Sequence, residues 1–160
     1  GTLWGYVMDK VRAAGPVPVP GGVTACVTAS QVAAAALGAV SCLTGYMAWP
    51  IGGENLSYRT IYGHFAAALG VAPELVSADT ATEQQAAEAQ RARLAAEGVE
   101  TGYDPRDVAR WQESDLGLDP QPAMTALGYR PDDMAAAIRE TVASTLAHGG
   151  QGPASLRSRT

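Results

Sequence analysis

The sequence is poor in residues that often identify a reaction or a metal site. It contains one lysine, two histidines and two cysteines among 160 residues. Neither Cys26 nor Cys42 has a histidine at ligand spacing, so we interpret both as buried thiols of a reducing compartment, with a disulfide or a metal site as the alternative. His64 and His148 lack a Cys or acidic partner at metal spacing, and no metal site is predicted.

Basic charge is also scarce. The chain has 11 Lys and Arg against 16 Asp and Glu, a net charge of −5, and its basic residues are scattered. Binding to a phosphate backbone requires a cluster of basic side chains, so a nucleic-acid partner is not predicted. The remaining composition, with 47% hydrophobic residues, is typical of one globular domain, which we expect to be cytoplasmic.

A long stretch of the chain has no charge at all. No charged residue occurs between Arg12 and Glu54, and residues 32–49 are mostly apolar and about long enough to cross a bilayer. This stretch is rich in alanine and includes Gly38 and Ser41, which weakens its preference for lipid. We therefore predict a buried helix followed by a buried strand and no membrane association; a small membrane protein is the alternative.

Periodicity and turn residues predict helices that alternate with short strands. The predicted strands are residues 23–28 and 46–51. The predicted helix starts are Ser30, Ser57, Thr80, Asp104, Asp119 and the segment after Pro131. Strands of this kind usually continue a parallel sheet, so we expect the isolated chain to leave open sheet edges and to form oligomers, aggregates or a partly ordered state. Residues 148–160 are predicted to be a disordered tail.

Tyr6 and Lys10 have the spacing of the acid–base pair of short-chain dehydrogenases. That pair works beside a nicotinamide held by a dinucleotide-binding βαβ unit, and neither G-x-G-x-x-G nor G-x-x-G-x-x-G occurs in the sequence. We therefore interpret Lys10 as a surface residue of an amphipathic helix. No catalytic residue is predicted.

Four segments, in their order and spacing, resemble the C-terminal part of the extended short-chain dehydrogenases/reductases, the NAD(P)-dependent epimerase/dehydratase family. The segments are "GTLWGYVMDKVRAAGPVPVPG", "VTASQVAAAALGAV", "WPIGGENLSYRTIYGHFAAALG" and "ALGYRPDDMAAAIRETV". The resemblance covers most of residues 1–147, and residues 78–114 look like a variable helical insertion. In the family the catalytic Tyr-x-x-x-Lys lies upstream of the helix that Tyr6 and Lys10 occupy.

The resemblance implies an α/β fold: the mainly helical C-terminal portion of a Rossmann-type protein, with a few short strands and without the nucleotide-binding half. Residues 1–147 would then bind substrate. NAD or NADP would be bound by the full-length protein and not by this segment alone. The implied partners are a small-molecule substrate and the missing half, and the complete protein is expected to be a homo-oligomer.

The resemblance also bears on the substrate. Nucleotide-sugar members tend to place Asn-Leu where this chain has Thr2-Leu3, an arginine where it has Thr24, and an aspartate where it has Gln31. Loss of the arginine removes the usual partner of a diphosphate, so a small carbonyl or hydroxyl substrate is expected. The candidate substrate-binding residues are Thr2, Leu3, Trp4 and Thr24, which could equally be packing residues. A non-catalytic binding or interaction module derived from the family is the alternative function.

Overall fold

The computed structural model describes residues 3–42, 47–99 and 102–148, and within these ranges helices dominate and strands are short. The elements, in chain order, are α1 (Leu3–Arg12), β1 (Val17–Val19), β2 (Val23–Ala25), α2 (Ala29–Cys42), β3 (Asn55–Ser57), α3 (Tyr58–Leu69), β4 (Leu75–Ser77), α4 (Thr80–Ala96), α5 (Pro105–Gln112), β5 (Asp115–Leu116), α6 (Gln121–Leu127) and α7 (Met134–His148). The predicted α/β class is confirmed. Of the predicted tail, residue 148 ends α7 and the rest lies outside the described ranges.

The strands form two small sheets. β1 pairs with β4 in parallel, with Val17 opposite Leu75. β2 lies between β3, which is antiparallel to it, and β5, which is parallel to it. No strand is longer than three residues in the described part of the chain, so the helices carry most of the packing.

The larger hydrophobic core lies between α1, α3, α7 and β1. Its buried members recur every three or four residues on each helix, which is the spacing of one helical face. They are Val7, Met8 and Val11 on α1, Ile61, Tyr62, Phe65 and Ala66 on α3, Ile138 and Val142 on α7, and Val17 and Val19 on β1. The apolar residues Tyr58, Ile61, Tyr62, Phe65 and Leu69 predict one buried face for α3, and the structure confirms it; the same helical spacing predicts that Leu146 of α7 is buried, but it is exposed.

The smaller core joins α2 to α6. It consists of Ala35, Ala123, Leu127 and Tyr129, all buried. At Gly38 the two helices touch through their backbones, because a Cβ placed there would lie 1.8 Å from the Leu127 carbonyl oxygen. Glycine at this position therefore permits an approach that no other residue would allow.

Two of the predicted helix starts are confirmed by their hydrogen bonds. The Ser57 hydroxyl accepts from the Thr60 amide at 3.1 Å and caps α3. The Asp104 carboxylate accepts from the Arg106 amide at 2.9 Å and caps α5, with Pro105 in the first turn as expected.

Three predicted starts need correction. The N-cap of α4 is Asp79 and not the predicted Thr80, because the Asp79 carboxylate accepts from the Thr82 amide at 3.0 Å. Helix α6 begins one residue later than predicted, with Pro120 at the N-cap position, but the Asp119 carboxylate accepts from the Gln121 amide at 3.0 Å, as predicted for a capping residue. Ser30 does not cap α2: the helix already begins at Ala29, and the preceding threonine provides the cap described below.

The predicted strand at residues 46–51 is wrong where it can be judged. Residues 47–51 carry no strand, and Tyr46 lies outside the described ranges. The neighbour of β2 is instead Asn55–Ser57, a segment predicted to be a turn and a cap. Trp49 and Ile51 pack against the smaller core instead of forming a strand, and the residues that pair with β2 come after them in the chain. The predicted strand 23–28 is confirmed only for Val23–Ala25.

Helix α2 occupies much of the uncharged stretch. It has 14 residues, which at 1.5 Å each is about 21 Å, shorter than the roughly 30 Å of a bilayer core. Within the described ranges, no helix is both long enough and apolar enough to cross a membrane. The prediction of a fully buried helix is wrong, however, because Val32, Leu37 and Val40 are exposed.

Candidate functional site

A cleft of about 980 Å³ opens between α1, α3 and α7 on one side and β2 and α5 on the other. This volume is at the upper end of the range of small-molecule sites, about 300–1,000 Å³. Helices α1, α3 and α7 turn their core faces toward one another, and the cleft lies where their N-terminal turns meet the end of β2. This cleft is the candidate site.

Aromatic side chains from three helices line the cleft. Trp4 of α1 stacks on Phe65 of α3, with ring centroids 5.4 Å apart and an interplanar angle of 25°. Phe65 is almost fully buried, at 1% exposure, whereas Trp4 is 41% exposed. Tyr6 and Trp111 also line the cleft and are exposed. One ring of the stacked pair is therefore anchored in the core and the other faces the open space.

Two tyrosines at the start of α3 bring hydroxyl groups to the same cleft. Burial, with smaller contributions from Tyr6 and Glu83, raises the pKa of Tyr62 well above its ordinary value. Burial and then the neighbouring Cys26 raise the pKa of Tyr58, and a hydrogen bond with the Thr24 side chain offsets part of that rise. Both phenols are therefore protonated at neutral pH and can donate a hydrogen bond.

Strand β2 supplies the floor of the cleft through Thr24 and Cys26. The Cys26 thiol lies 3.9 Å from the Thr24 carbonyl oxygen. Burial raises the pKa of Cys26, and the charge of Glu54 raises it further. A protonated thiol is a poor nucleophile, and Cys26 is half-buried rather than fully buried as predicted. The Cys42 side chain lies outside what the structure describes.

A polar network closes the end of the cleft where β2 leads into α2. The Thr28 hydroxyl accepts from the Gln31 amide at 3.1 Å, and the Gln31 side-chain oxygen accepts from the Thr28 amide at 3.0 Å. This reciprocal pair is a capping box. The Gln31 side chain, 2% exposed, also donates to the Arg130 carbonyl at 3.1 Å, and the Thr28 hydroxyl donates to the Asp132 carboxylate. The network therefore joins the start of α2 to the segment before α7.

The charged side chains that line the cleft are all acidic. They are Asp132, Asp133 and Glu140, and none of the described lining residues is a lysine or an arginine. Asp133 caps α7 by accepting from the Ala136 amide at 2.9 Å, as its predicted role at a helix start requires. The potential in the cleft is therefore unfavourable for anionic ligands.

The structure brings together two of the four predicted substrate-binding residues. Trp4 and Thr24 both line the cleft. Thr2 lies outside the described residues, as does the side chain of Leu3. Tyr62 and Trp111, which also line the cleft, were missed by the sequence analysis. In the sequence, Tyr62 could be placed on the apolar face of α3. Such a position looks the same whether the side chain belongs to a hydrophobic core or to the wall of a pocket.

The structure places the side chain of Lys10 beside that of Tyr6. The Lys10 ammonium lies over two aromatic rings, 5.5 Å from the Tyr6 centroid and 5.7 Å from the Tyr62 centroid. These are cation–π distances. Elsewhere, the described residues hold no group of three or more His, Cys, Asp or Glu side chains suited to a metal ion.

Comparisons with known proteins give one result, and it concerns the fold. No family model matches the sequence, and no curated protein matches it. The crystal structure of gox2253 is similar, with a TM-score of 0.65 over 95% of this chain at 17% sequence identity. The match covers 46% of that protein's chain, so the present chain spans less than half of its length. At this identity the likeness shows a shared fold and nothing further. The part of gox2253 that shares the fold is one portion of a longer chain.

Proposed function

We propose that this chain is the substrate-binding portion of an NAD(P)-dependent oxidoreductase or epimerase similar to the extended short-chain dehydrogenases. It would act on a small carbonyl or hydroxyl compound and transfer no hydride without a nucleotide-binding half. The observation that carries the proposal is the cleft, because it contains Trp4 and Thr24, two of the residues that the family resemblance assigns to substrate binding.

The chemistry of the cleft supports a substrate of this class. Its lining is mainly apolar and includes three residues that carry a hydroxyl group, Tyr58, Tyr62 and Thr24. A protonated hydroxyl in an apolar setting donates a strong, orienting hydrogen bond to a carbonyl or alcohol oxygen. Three carboxylates and no guanidinium among its described residues make a nucleotide-diphosphate sugar a poor fit.

An uncovered surface on α2 supports the proposal that a further half packs against this chain. Val32, Leu37 and Val40 are exposed on a helix that carries no charged residue. Exposed apolar patches of this kind usually mark an interaction surface. More than half of the gox2253 chain lies outside the match. A protein of that length would have room for the second half that is proposed here.

The test compares the 160-residue chain with the longest protein that its coding region encodes. Calorimetric titration with NADH and NADPH should detect binding only in the longer protein, which should also oxidise one of them in the presence of a carbonyl compound. Tyr103→Phe, at an exposed tyrosine outside the cleft lining, is the matched control and should leave turnover unchanged.

Two outcomes would contradict the proposal. Tight binding of a nicotinamide nucleotide by the 160-residue chain would place the coenzyme site in these residues. A longer protein that binds neither nucleotide, or a coding region that adds no second half, would instead favour the non-catalytic binding module.

A further inference from the structure

We infer that the cleft binds its ligand through an aromatic ring stacked on the open face of Trp4, and that the ligand carries no negative charge. Calling this ligand the substrate rests on the proposed function. The binding of the ring is a property of the residues of this chain alone.

The stacked pair of Trp4 and Phe65 provides the platform. Phe65 covers one face of the indole, with centroids 5.4 Å apart, and is itself held in the larger core. Trp4 keeps 41% of its surface exposed and is one of the residues that line the cleft. An indole already fixed by a buried neighbour loses little conformational entropy when a further ring stacks on it. Trp4 is thus preorganised to stack on a ligand ring.

The other cleft walls suit the edge of a bound ring. Tyr6 and Trp111 are 58% and 50% exposed and lie on different elements that border the same space. Tyr58 offers a hydroxyl within the apolar surroundings. A flat ligand between these side chains would bury apolar area on both faces and keep one polar contact. Aromatic pairs gain affinity beyond the area that they bury, by about 2- to 12-fold in binding constant.

The acidic rim sets the charge of the ligand. Asp132, Asp133 and Glu140 line the cleft, and the described lining residues contribute no cation to offset them. The nearest ammonium described, that of Lys10, lies over the Tyr6 and Tyr62 rings and is not among the lining residues. A carboxylate or phosphate on the ligand would therefore meet repulsion from these carboxylates and find no cationic partner among the described lining residues.

Three ligands of nearly equal size test both parts of the inference in calorimetric titrations of the 160-residue chain. They are naphthylmethanol, its saturated analogue decalinylmethanol, and naphthoate. We expect naphthylmethanol to bind about 2- to 12-fold more tightly than the saturated alcohol, the gain of a ring–ring contact. Naphthoate should bind at least about 10-fold more weakly than naphthylmethanol because of the acidic rim.

Variants separate stacking from general apolar binding. Trp4→Leu should abolish the preference for the aromatic over the saturated ligand, and Trp4→Phe should retain part of it. Trp49→Phe is the matched control, because Trp49 packs against the smaller core away from the cleft, and its buried Nε1 has no hydrogen-bond partner among the described residues. This variant should keep the wild-type preference. Far-ultraviolet circular dichroism checks that each variant is folded, and Trp4→Phe remains informative if Trp4→Leu does not fold.

Equal affinities for the aromatic and saturated alcohols, an unchanged preference in Trp4→Leu, or tighter binding of naphthoate would each overturn the inference. The longer protein distinguishes this failure from that of the proposed function. Equal turnover of saturated and aromatic carbonyl compounds would overturn the inference and leave the oxidoreductase proposal standing. Loss of nicotinamide binding by the longer protein would contradict the oxidoreductase proposal while leaving the ligand preference intact.

Discussion

The Tyr129 hydroxyl forms two hydrogen bonds with the backbone of Gly52, 77 positions away in sequence. It donates to the Gly52 carbonyl at 2.9 Å and accepts from the Gly52 amide at 3.3 Å. Tyr129 is only 3% exposed, so the peptide groups of Gly52 have little access to water. This contact holds the segment after α2 against the smaller core and joins two of the segments that carry the family resemblance.

Replacing Tyr129 by phenylalanine removes both bonds and leaves a buried amide and a buried carbonyl without partners. We expect the free energy of unfolding to fall by about 1–3 kcal/mol, the cost of unsatisfied buried polar groups. Urea denaturation at one fixed protein concentration measures it, since an associating chain changes stability with concentration. Tyr6→Phe, at an exposed tyrosine, is the control and should change the value by less than about 0.5 kcal/mol. Equal effects of the two substitutions would contradict the assigned role of Tyr129.

Two glycines within helices are expected to respond to alanine with opposite signs. At Gly38 a Cβ would lie 1.8 Å from the Leu127 carbonyl oxygen, so α2 and α6 would have to separate. Gly38→Ala should destabilise the chain by about 3 kcal/mol or more, the upper part of the range for overpacking. At Gly63, inside α3, no atom beyond the adjoining residues and the backbone of the same helix lies within 4 Å of the added carbon. Gly63→Ala should stabilise the chain by about 0.5–1 kcal/mol because alanine favours helix.

Thermal unfolding of the two variants, followed by circular dichroism, gives the comparison directly. The melting temperature should fall in Gly38→Ala and rise in Gly63→Ala. A rise in both would show that α2 and α6 are not in backbone contact at Gly38.

Local signals predicted several helices correctly, and the errors come from contacts that are distant in sequence. Ser57 could be predicted as a cap because the amide from which it accepts, that of Thr60, belongs to the helix that directly follows it. Ser30 looked equally suitable, but Thr28 forms the cap of α2. Thr28 is also held by Asp132, 104 positions away, and no local pattern reveals such a partner. The Thr-x-x-Gln spacing from Thr28 to Gln31 was the signal that could have identified it.

The cleft could be predicted only in part for the same reason. Trp4 and Thr24 were reached through a family resemblance and not through any property of their own. Trp111 lies on α5, inside a segment interpreted as a variable insertion, and only the folded chain brings it to the same space as Trp4. The short strand at Asn55–Ser57 was not predicted, because its strand conformation depends on pairing with β2 and the residues of the segment alone do not indicate it.

The exposed face of α2 leads to a prediction about association. Leu37 and Val40 are 71% and 87% exposed, and the helix has no charge to oppose contact with another apolar surface. Leu37→Glu should shift the isolated chain toward smaller species in sedimentation velocity, because a charge in such a contact must be desolvated. Val99→Glu adds the same charge at another exposed apolar residue outside α2, and should have a smaller effect.

The same substitution has a second expected effect in a longer protein. If the α2 face packs against a nucleotide-binding half, Leu37→Glu should lower that protein's melting temperature and Val99→Glu should not. Identical behaviour of the two variants in both experiments would show that the α2 face is not an interface.

Stability is expected to fall at alkaline pH because of three groups in the cleft. Burial raises the pKa of Cys26, Tyr58 and Tyr62 above the values that these groups have in an unfolded chain. The folded chain therefore keeps protons that the unfolded chain releases, and its stability is unaffected below the unfolded-state pKa values and decreases as the pH rises above them. For thiols and phenols this window begins at roughly pH 9–10.

Urea midpoints measured from neutral pH to about pH 11 should stay level at first and then decline. Tyr62→Phe removes one of the ionising groups, so its midpoint should depend less steeply on pH than that of the wild type. Tyr103→Phe changes an exposed tyrosine and should keep the wild-type slope. If the midpoint rose with pH, or if Tyr62→Phe left the slope unchanged, Tyr62 would have to ionise as readily in the folded chain as in the unfolded one. Its burial in the larger core opposes this.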